Sequence, residues 1–517
     1  MQPYKILWAD DKIDLLTPHI LFLENKGYDI TPVNSGSDAL DKCSQEHFDL
    51  IFLDENMPGM TGLETLNEIK KIGPFVPVVM ITKSEEEHIM EEAIGAKIAD
   101  YLIKPLNPNQ ILLSVKKILD NKRLVSERTN TSYRQDFMNI SQAFGDNLDH
   151  KEWADIYKKL VDWEIQFDET EDKSMAEVLE NQKDEANANF AKFIINSYED
   201  WMDSPDAPML SHQIMEKKVF PELEKGVPVF FVVIDNLRYD QWRVISSEIQ
   251  EYFNIKSEDS YYSILPTTTA YSRNAIFSGE LPDVMASKHA DIWVGDDMEG
   301  GKNNKEHVFL ERLLKRKNLD IKFTYNKIKN VTQGRQLVDN IPNYITNDLN
   351  VIVYNFVDVL SHARTEMAMI KELAPDESAY RSITKSWFQH SPLFEALKFI
   401  SEKKVKLIIT TDHGTIRVKR PFKIVGDRNT NTNLRYKQGK NLGYVDEDVF
   451  TVKKPENLNL PKVNVTSSYA FAINDYFFAY PNNYNYYVNY YKDTFQHGGV
   501  SMEEMVIPII SLTSKNG

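Results

Sequence analysis

Five short apolar segments recur through the first 120 residues, and a helix-like polar stretch separates each from the next. They occupy residues 6–8, 30–33, 50–53, 78–81 and 101–103. Strands spaced by one helix each can pair in parallel only through crossover connections, which place helices on both faces of the sheet. The pattern therefore predicts an α/β fold at the start of the chain, a doubly wound (βα)5 domain over residues 1–120.

The rest of the chain changes pattern twice. Gly145 is the only glycine or proline between residues 109 and 204, and apolar residues such as Trp153, Ile156 and Leu160 recur at near-helical spacing. Trp163 and Ile165 continue the series. We therefore expect a helical bundle over residues 121–206 that links two domains.

Beyond residue 207, long mixed stretches separate four apolar segments, as in a large α/β domain with insertions. The segments span residues 229–234, 351–357, 407–410 and 506–510. Residues 429–441 and 480–491 are expected to be irregular insertions. Residues 207–517 should form one domain, with its chemistry just past the carboxyl ends of the strands.

Charge and cysteine content exclude several classes of protein. The 517 residues include 60 basic and 77 acidic side chains, a net charge of −17, so binding of duplex DNA over a broad basic surface is not expected. Cys43 is the only cysteine, which rules out an intrachain disulfide and a cysteine-rich zinc module. The start of the sequence lacks a secretory signal pattern, and no apolar run reaches the roughly 20 residues of a membrane span. We expect a cytoplasmic protein.

Polar residues follow the strands of the first domain at the same end of the sheet. Asp10 and Asp11 follow the first strand, Asp54 ends the third, Thr82 ends the fourth and Lys104 follows the fifth. Three converging carboxylates match the oxygen preference of Mg²⁺, and a lysine and a hydroxyl beside them could hold phosphoryl oxygens. The pattern predicts transfer of a phosphoryl group to Asp54.

These residues, in this order, resemble the receiver domain of bacterial two-component response regulators. The resemblance covers about the first 120 residues. It implies that Asp54 is the phosphoacceptor, that Asp10 and Asp11 help to hold Mg²⁺, and that Thr82 and Tyr101 report phosphorylation to a neighbouring surface. It also implies a sensor histidine kinase as phosphoryl donor and a homodimer that forms on phosphorylation.

Four fragments of the third domain carry residues that bind metals. They contribute Asp235, the pair Asp358 and His362, the adjacent pair Asp412 and His413, and His497. Carboxylate and imidazole both suit Zn²⁺, and each ion takes about four ligands, so the six residues could hold two ions if a hydroxyl completes the set.

The hydroxyl is expected from the segment 266–282, which contains three consecutive threonines. A threonine that enters a helix can coordinate a metal, lose its proton and act as a nucleophile. Thr269 is the predicted nucleophile, and Thr268 is the alternative.

This assembly resembles the alkaline phosphatase superfamily, particularly its nucleotide phosphodiesterase-like branch and the related PglZ domains. The order of the fragments and the Ser-Gly-x-x-Pro run that begins nine residues after Thr269 carry the resemblance. It implies that one zinc is held by Asp235, Thr269, Asp412 and His413, and the other by Asp358, His362 and His497. Ser272, Arg273 and Asn274 are candidate phosphate contacts.

A receiver, a helical linker and a PglZ-like domain together resemble the PorX type of response regulator, which is linked to control of type IX secretion. That resemblance implies a regulated enzyme for phosphate esters of nucleotide type, with secretion-system or transcription-machinery proteins as candidate partners. The leading hypothesis is a two-zinc phosphodiesterase under the control of Asp54. The alternatives are a catalytically weak or inactive zinc-binding signalling module that acts by dimerisation and partner binding, and a monoesterase or sulfatase with the same metals.

Overall fold

The computed structural model describes most of the chain. The described residues are 3–73, 76–83, 98–168, 174–224, 226–295, 303–425, 431–440, 442–443, 449–462, 466–480 and 483–515. The chain divides into two compact units, with the border between Ser132 and Tyr133. The domain borders expected at residues 120 and 206 stay predictions.

The first unit contains a five-stranded parallel sheet in the order β2-β1-β3-β4-β5. Its strands are β1 (Lys5–Ala9), β2 (Asp29–Val33), β3 (Leu50–Asp54), β4 (Val78–Thr82) and β5 (Asp100–Ile103). Its described helices are α1 (Thr17–Glu24), α2 (Gly36–Gln45), α3 (Gly62–Ile72) and α4 (Pro108–Val115). Separate apolar clusters cover the two faces, so the predicted doubly wound fold is confirmed.

Local sequence explains where these helices begin. Ser35 caps α2 by accepting a hydrogen bond from the backbone of Asp38. Thr61 and Glu64 form a reciprocal capping box at the start of α3. Gly62 is required beside β3, because a Cβ there would lie only 2.5 Å from the backbone oxygen of Asp54. These caps fix the loops that follow the strands, where the polar residues lie.

Three long helices follow: α5 (Asn121–Ala143), α6 (His150–Asp168) and α7 (Ser174–Ser197). The apolar residues of α6 that recur at helical spacing, Trp153, Ile156, Leu160 and Trp163, are buried. They belong to the same hydrophobic cluster as the central sheet of the second unit. The predicted helical character of this region is confirmed, and α6 and α7 pack as part of the second unit.

The second unit is built on a six-stranded sheet in the order β7-β18-β10-β6-β9-β8. Its strands are β6 (Val229–Ile234), β7 (Phe253–Tyr262), β8 (Phe323–Ile328), β9 (Leu349–Tyr354), β10 (Lys406–Thr410) and β18 (Val506–Ser514). Within this sheet only β18 is antiparallel to the other strands, since its pairings with both β10 and β7 are antiparallel. The carboxyl ends of β6, β7, β9 and β10 therefore meet at one edge of the sheet.

The helices of this unit surround the sheet. The first five are α8 (Tyr239–Gln250), α9 (Ser272–Ser278), α10 (Pro282–Lys288), α11 (Glu306–Arg316) and α12 (Val331–Tyr344). The others are α13 (Phe356–Glu366), α14 (Ala368–Leu373), α15 (Glu377–Gln389), α16 (Pro392–Ser401), α17 (Tyr484–Tyr491) and α18 (Met502–Met505). Among the helices described, none is both long and apolar enough to cross a membrane.

Small sheets complete the unit. They are β11 (Ile416–Arg417) with β17 (Phe495–Gln496), β12 (Arg420–Lys423) with β16 (Tyr476–Ala479), and β13 (Tyr436–Lys440), β15 (Ser467–Ala472) and β14 (Val449–Val452) in that order.

Three expectations for this domain need correction. The strand predicted at 351–357 ends at Tyr354, and α13 begins at Phe356. The strand at 506–510 presents its amino end, not its carboxyl end, to the edge where β6 and β10 finish. Within the two predicted irregular insertions, residues 436–440 form β13 and residues 484–491 form α17. Residues 429–430, 441 and 481–482 of these insertions lie outside the described residues.

Candidate functional site

The polar residues at the strand ends of the first unit do converge. Asp10, Asp11 and Asp54 each offer an oxygen atom within 4.8 Å of the others. The Lys104 ammonium lies 2.6 Å from Asp10 Oδ2 and 2.9 Å from Asp54 Oδ1. Asp10 and Asp54 are buried, whereas Asp11 is exposed. The cluster of three carboxylates is therefore open to solvent on the side of Asp11.

Burial sets the electrostatics of this pocket. It raises the pKa of the Asp54 carboxyl, against the lowering effect of the Lys104 ammonium. Burial also opposes the charge of Lys104, but its hydrogen bonds to Asp10 and Asp54 leave the pKa of the lysine raised. Thr82 is fully buried at the end of β4, and burial raises the pKa of the neighbouring Tyr101. A bound divalent cation would offset the mutual repulsion of the three carboxylates.

The predicted metal ligands of the second unit form two donor sets. The first contains Asp235, which directly follows β6, with Asp412 and His413, which follow β10. All three are fully or almost fully buried. Asn236 adopts a left-handed backbone, with φ of 65°, and its N–H donates to Asp412 Oδ1 over 3.3 Å. The two strand ends are thus tied together behind the donor atoms.

The second donor set contains Asp358, His362 and His497. Asp358 and His362 lie one turn apart on α13, and the Oδ1 of Asp358 is 3.5 Å from His362 Nε2. The same oxygen is 4.0 Å from Nε2 of His497, which follows β17. The His497 ring stacks on the His413 ring with centroids 4.2 Å apart, so the two sets are neighbours.

Backbone carbonyl groups orient the rings of His413 and His497. Nδ1 of His413 lies 3.2 Å from the Gly414 oxygen, and Nδ1 of His497 lies 3.3 Å from the Thr267 oxygen. A proton on each Nδ1 leaves the Nε2 lone pair directed toward the carboxylates. Burial lowers the pKa of His413 to about 4 and that of His497 to about 3. Both imidazoles are therefore neutral near pH 7, the form that binds metals.

The three threonines of the segment after β7 have different surroundings. Thr269 Oγ1 lies 3.1 Å from His413 Nε2 and 3.5 Å from Asp235 Oδ1, and the residue is partly exposed. Thr268 is buried, and its hydroxyl lacks a partner in the described structure. Thr267 donates to the Gly499 oxygen and accepts from the Gly498 N–H, which holds the loop after His497. Of the three, Thr269 is the one whose hydroxyl reaches a donor set.

The side chains of the three candidate phosphate contacts are already engaged with other groups of the protein. Ser272 donates to the Thr268 oxygen, and the Asn274 amide donates to the Ala270 oxygen. Arg273 is fully buried, with its Nη1 atom 2.6 Å from Asp235 Oδ2 and its Nε atom 2.5 Å from Glu306 Oε1. In this arrangement the Arg273 guanidinium neutralises buried carboxylates and is not open to a substrate.

Sequence reasoning did not single out two asparagines beside the donor atoms. The Asn355 amide donates to Asp235 Oδ2 over 2.8 Å, and the Asn236 amide lies 3.4 Å from Asp358 Oδ1. The side-chain oxygen of each is buried without a hydrogen-bond partner in the described structure. Asn355 directly follows β9 and Asn236 directly follows Asp235, and these positions at strand ends could have identified both as site residues from the sequence.

A further carboxylate cluster is an ion-pair network. Glu164, Asp240 and Glu377 lie within the same 4.8 Å limit. Arg381 lies 2.7 Å from Glu164 and 3.0 Å from Asp240, and Arg238 lies 2.5 Å from Glu377. Because buried arginines already neutralise these carboxylates, the cluster joins α6 to the α/β domain and is not a metal candidate.

The donor groups of the two sets fit a pair of divalent metal ions. Neutral imidazoles and carboxylates are ligands that zinc accepts. Burial raises the pKa values of Asp235, Asp412 and Asp358, a cost that a bound cation would offset. Asp412 Oδ2 is buried and accepts no hydrogen bond in the described structure. These are the features of a site that is completed by a cation.

The fold and the two sites define a class of protein, a receiver domain joined to an alkaline-phosphatase-like α/β domain. A family model described as the BREX system PglZ alkaline phosphatase-like domain matches residues 214–512, more than half of the chain. The chain belongs to this family. The PorX response regulator linker domain matches residues 123–202, and the response regulator receiver domain matches residues 6–116. Along the chain, the receiver, linker and PglZ matches follow one another in the architecture of a PorX-type response regulator.

Curated relatives match the receiver alone. The transcriptional regulatory protein ZraR of Klebsiella oxytoca is 37% identical over 119 residues, which cover 23% of this chain and 27% of that protein. The CpxR homolog of Haemophilus influenzae is 36% identical over 130 residues, 25% of this chain and 55% of that protein. The chain thus spans about a quarter to a half of the length of these relatives. A solved structure of Vibrio cholerae CheY4 is 29% identical, covers 23% of this chain and 99% of its own, and has a TM-score of 0.22.

Proposed function

We propose that the protein is a response regulator in which phosphorylation of Asp54 controls a two-zinc phosphodiesterase that acts on nucleotide-type phosphate esters. The observation that carries the enzymatic part is the position of the Thr269 hydroxyl, which is partly exposed and 3.1 Å from Nε2 of a buried, neutral histidine. A second donor set adjoins it through the stacked rings of His413 and His497. A protein that only bound metal for structure would not need an accessible hydroxyl at this point.

Each donor set would hold one ion. Asp235, Asp412, His413 and Thr269 would hold the first, and Asp358, His362 and His497 the second. When bound, the two zinc ions supply Lewis acidity to phosphoryl oxygens and stabilise the deprotonated form of a coordinated hydroxyl. Gly414 N–H donates to the Glu504 backbone, and a Cβ on Gly414 would overlap the Glu503 oxygen, so the loop that carries His413 has a fixed position.

The residues of the chain supply the nucleophile and its alignment. Thr269 Oγ1 loses its proton to solvent and attacks phosphorus, while the bond from phosphorus to the alcohol leaving group breaks and the departing oxygen takes a proton from solvent. Water then cleaves the phosphothreonine at phosphorus and restores the Thr269 hydroxyl. Asn355 holds Asp235 in place through its amide, and Thr267 holds the loop of His497, so both act as positioning residues.

Preference for diesters is supported by the position of Arg273. A phosphate monoester carries more negative charge than a diester, and a tight cationic pocket would favour it. The Arg273 guanidinium is instead fully buried against Asp235 and Glu306. We therefore favour a phosphodiesterase over a monoesterase or sulfatase.

Hydrolysis of chromogenic esters by the full chain tests this proposal. The zinc-loaded protein should hydrolyse bis(p-nitrophenyl) phosphate faster than p-nitrophenyl phosphate, and chelation should abolish both activities. Metal content is measured on the same samples. Stoichiometric zinc without turnover on either ester would support the zinc-binding signalling module, and faster monoester hydrolysis would support a monoesterase.

Phosphorylation of the receiver provides a separate prediction. With Mg²⁺ and a small phosphoryl donor such as acetyl phosphate, the wild-type chain should gain one phosphoryl group, as detected by intact mass. Asp54→Asn should lose this modification completely, because an amide oxygen cannot form the acyl phosphate. Asp14→Asn is the matched control, since Asp14 is exposed and does not belong to the cluster of Asp10, Asp11 and Asp54. Equal labelling of the Asp54 variant would exclude Asp54 as the acceptor.

The regulatory partners belong to the same proposal. A sensor histidine kinase in the cytoplasm would supply the phosphoryl group, and the phosphorylated chain would form a homodimer. A role in type IX secretion, with secretion or transcription proteins as partners, is what the PorX-type architecture favours.

A further inference from the structure

A cavity of about 330 Å³ lies beside the metal-binding edge of the large sheet but is lined by different residues. Its walls come from the ends of β8 and β9, the starts of α12, α13 and α16, and the last turn of α15. The volume falls within the range of about 300–1,000 Å³ that is typical of small-molecule sites. The donor residues of the two metal sets do not line this cavity.

One wall of the cavity is aromatic. The rings of Phe356 and Trp387 stack with centroids 4.1 Å apart and an angle of 4° between their planes. Tyr354 packs against Trp387 at 5.5 Å. Phe356 and Trp387 are both partly exposed, so the stack leaves aromatic surface available to a planar ligand.

The hydroxyl of Tyr354 suggests that a ligand of this cavity has polar groups. Tyr354 is 5% exposed, and its hydroxyl forms no hydrogen bond with any residue that the structure describes. A Cβ on Gly334 would lie 3.0 Å from this hydroxyl, so a glycine at this position of α12 keeps space open around it. A tyrosine phenol is protonated near pH 7 and can donate a hydrogen bond.

Two cations at the cavity also lack partners. Lys329 and Arg335 line it, and neither forms an ion pair within the described part of the chain. Glu395 is the one carboxylate among the lining residues, and it is exposed. Both Lys329 and Arg335 are exposed. Both α12 and α16 begin at residues that line the cavity, which places their positive dipole ends beside it. The side chains of Asn330 and Ser391 already accept hydrogen bonds from the N–H groups of Gln333 and Phe394.

We propose that this cavity binds a small anion that carries a planar aromatic ring, of the mononucleotide class. The base would lie against Phe356 and Trp387, and the phosphate would face Lys329 and Arg335, with the Tyr354 hydroxyl as a donor between them. The binding site is independent of the proposed hydrolase reaction, because it uses none of the metal ligands.

The ligand would contact the helix that carries the second donor set. Phe356 and Val359 line the cavity, and Asp358 and His362 lie on the same helix, α13. Asn355, between the lining residues Tyr354 and Phe356, holds Asp235 through its amide. An occupant of the cavity thus touches the segment that positions both donor sets.

Photolabelling of the zinc-loaded full chain with 8-azidoadenosine 5′-monophosphate tests the proposal. The label should appear in the tryptic peptide 386–398, which contains Trp387 and none of the donor residues. Unlabelled AMP should protect this peptide. The double variant Lys329→Gln/Arg335→Gln should reduce labelling at least tenfold, and Lys403→Gln/Lys404→Gln, which removes two exposed charges away from the cavity, should not.

Several outcomes would overturn the assignment. Labelling confined to peptides that contain Thr269 or His413 would place the nucleotide at the metal site alone. Equal labelling of the two double variants would show that the cavity cations are not involved. Protection by adenosine or by inorganic phosphate that matches protection by AMP would reduce the site to an aromatic pocket or an anion site. None of these results depends on whether the protein hydrolyses an ester.

Discussion

Replacing Thr269 with valine should lower the rate of diester hydrolysis by on the order of 10³-fold or more, while the protein keeps its bound zinc. Valine has nearly the shape of threonine but no oxygen to attack phosphorus, so the covalent route is closed. The remaining residues of this donor set are buried, so the set should persist. Backbone groups hold Asp412 and His413, and the Asn355 amide holds Asp235. Steady-state kinetics and metal analysis on the same preparations measure both quantities.

The adjacent threonine provides the matched control. Thr268→Val removes the same hydroxyl from a buried residue whose Oγ1 lacks a partner in the described structure. It should keep most of the activity. If the Thr268 variant lost turnover and the Thr269 variant kept it, the nucleophile would have to be reassigned by one residue. If neither variant changed the rate, a covalent phosphothreonine route would be excluded.

The convergence of the predicted metal ligands was expected in part from the strand pattern. Asp235 follows the wholly apolar segment of β6, and Asp412 comes shortly after the apolar centre of β10. Such segments predict buried parallel strands whose carboxyl ends meet. Asp358 and His362 are four residues apart, the spacing that places two side chains on one helix face. Strand ends and helical spacing singled out these residues, and the division into two sets came from the resemblance to the alkaline phosphatase superfamily.

Groups that pair through the tertiary fold were harder to predict. Arg273 is close in sequence to Thr269, which suggested a phosphate contact, but its partner Glu306 lies on a different helix, α11. The direction of β18 was not predictable either, because an apolar strand reads the same in both orientations. The cavity beside α13 depends on the packing of four helices and two strand ends, and a single sequence does not contain that information.

Arg273→Met should destabilise the second unit strongly, by about 3–5 kcal/mol. The Arg273 guanidinium lies 2.6 Å from Asp235 and 2.5 Å from Glu306, and all three side chains are almost completely buried. Removing the guanidinium leaves the buried carboxylate of Asp235 without this counter-ion and leaves Glu306 with Lys327 alone, which costs far more than the ion pair itself gains. Urea unfolding followed by tryptophan fluorescence reports mainly on this unit, because six of the seven tryptophans lie beyond residue 132.

Two further variants separate the role of this charge from general damage to the fold. Arg273→Lys keeps a cation among the carboxylates and should recover part of the lost stability, with fewer hydrogen bonds than the guanidinium. Arg312→Met removes an arginine from an exposed pair with Asp291, where water already solvates both charges, so the unfolding midpoint should change little. If the Arg273 and Arg312 methionine variants unfolded at the same urea concentration, Arg273 would not be a structural counter-ion. Its guanidinium would then be free to leave Asp235 and bind a phosphoryl oxygen, as the sequence first suggested.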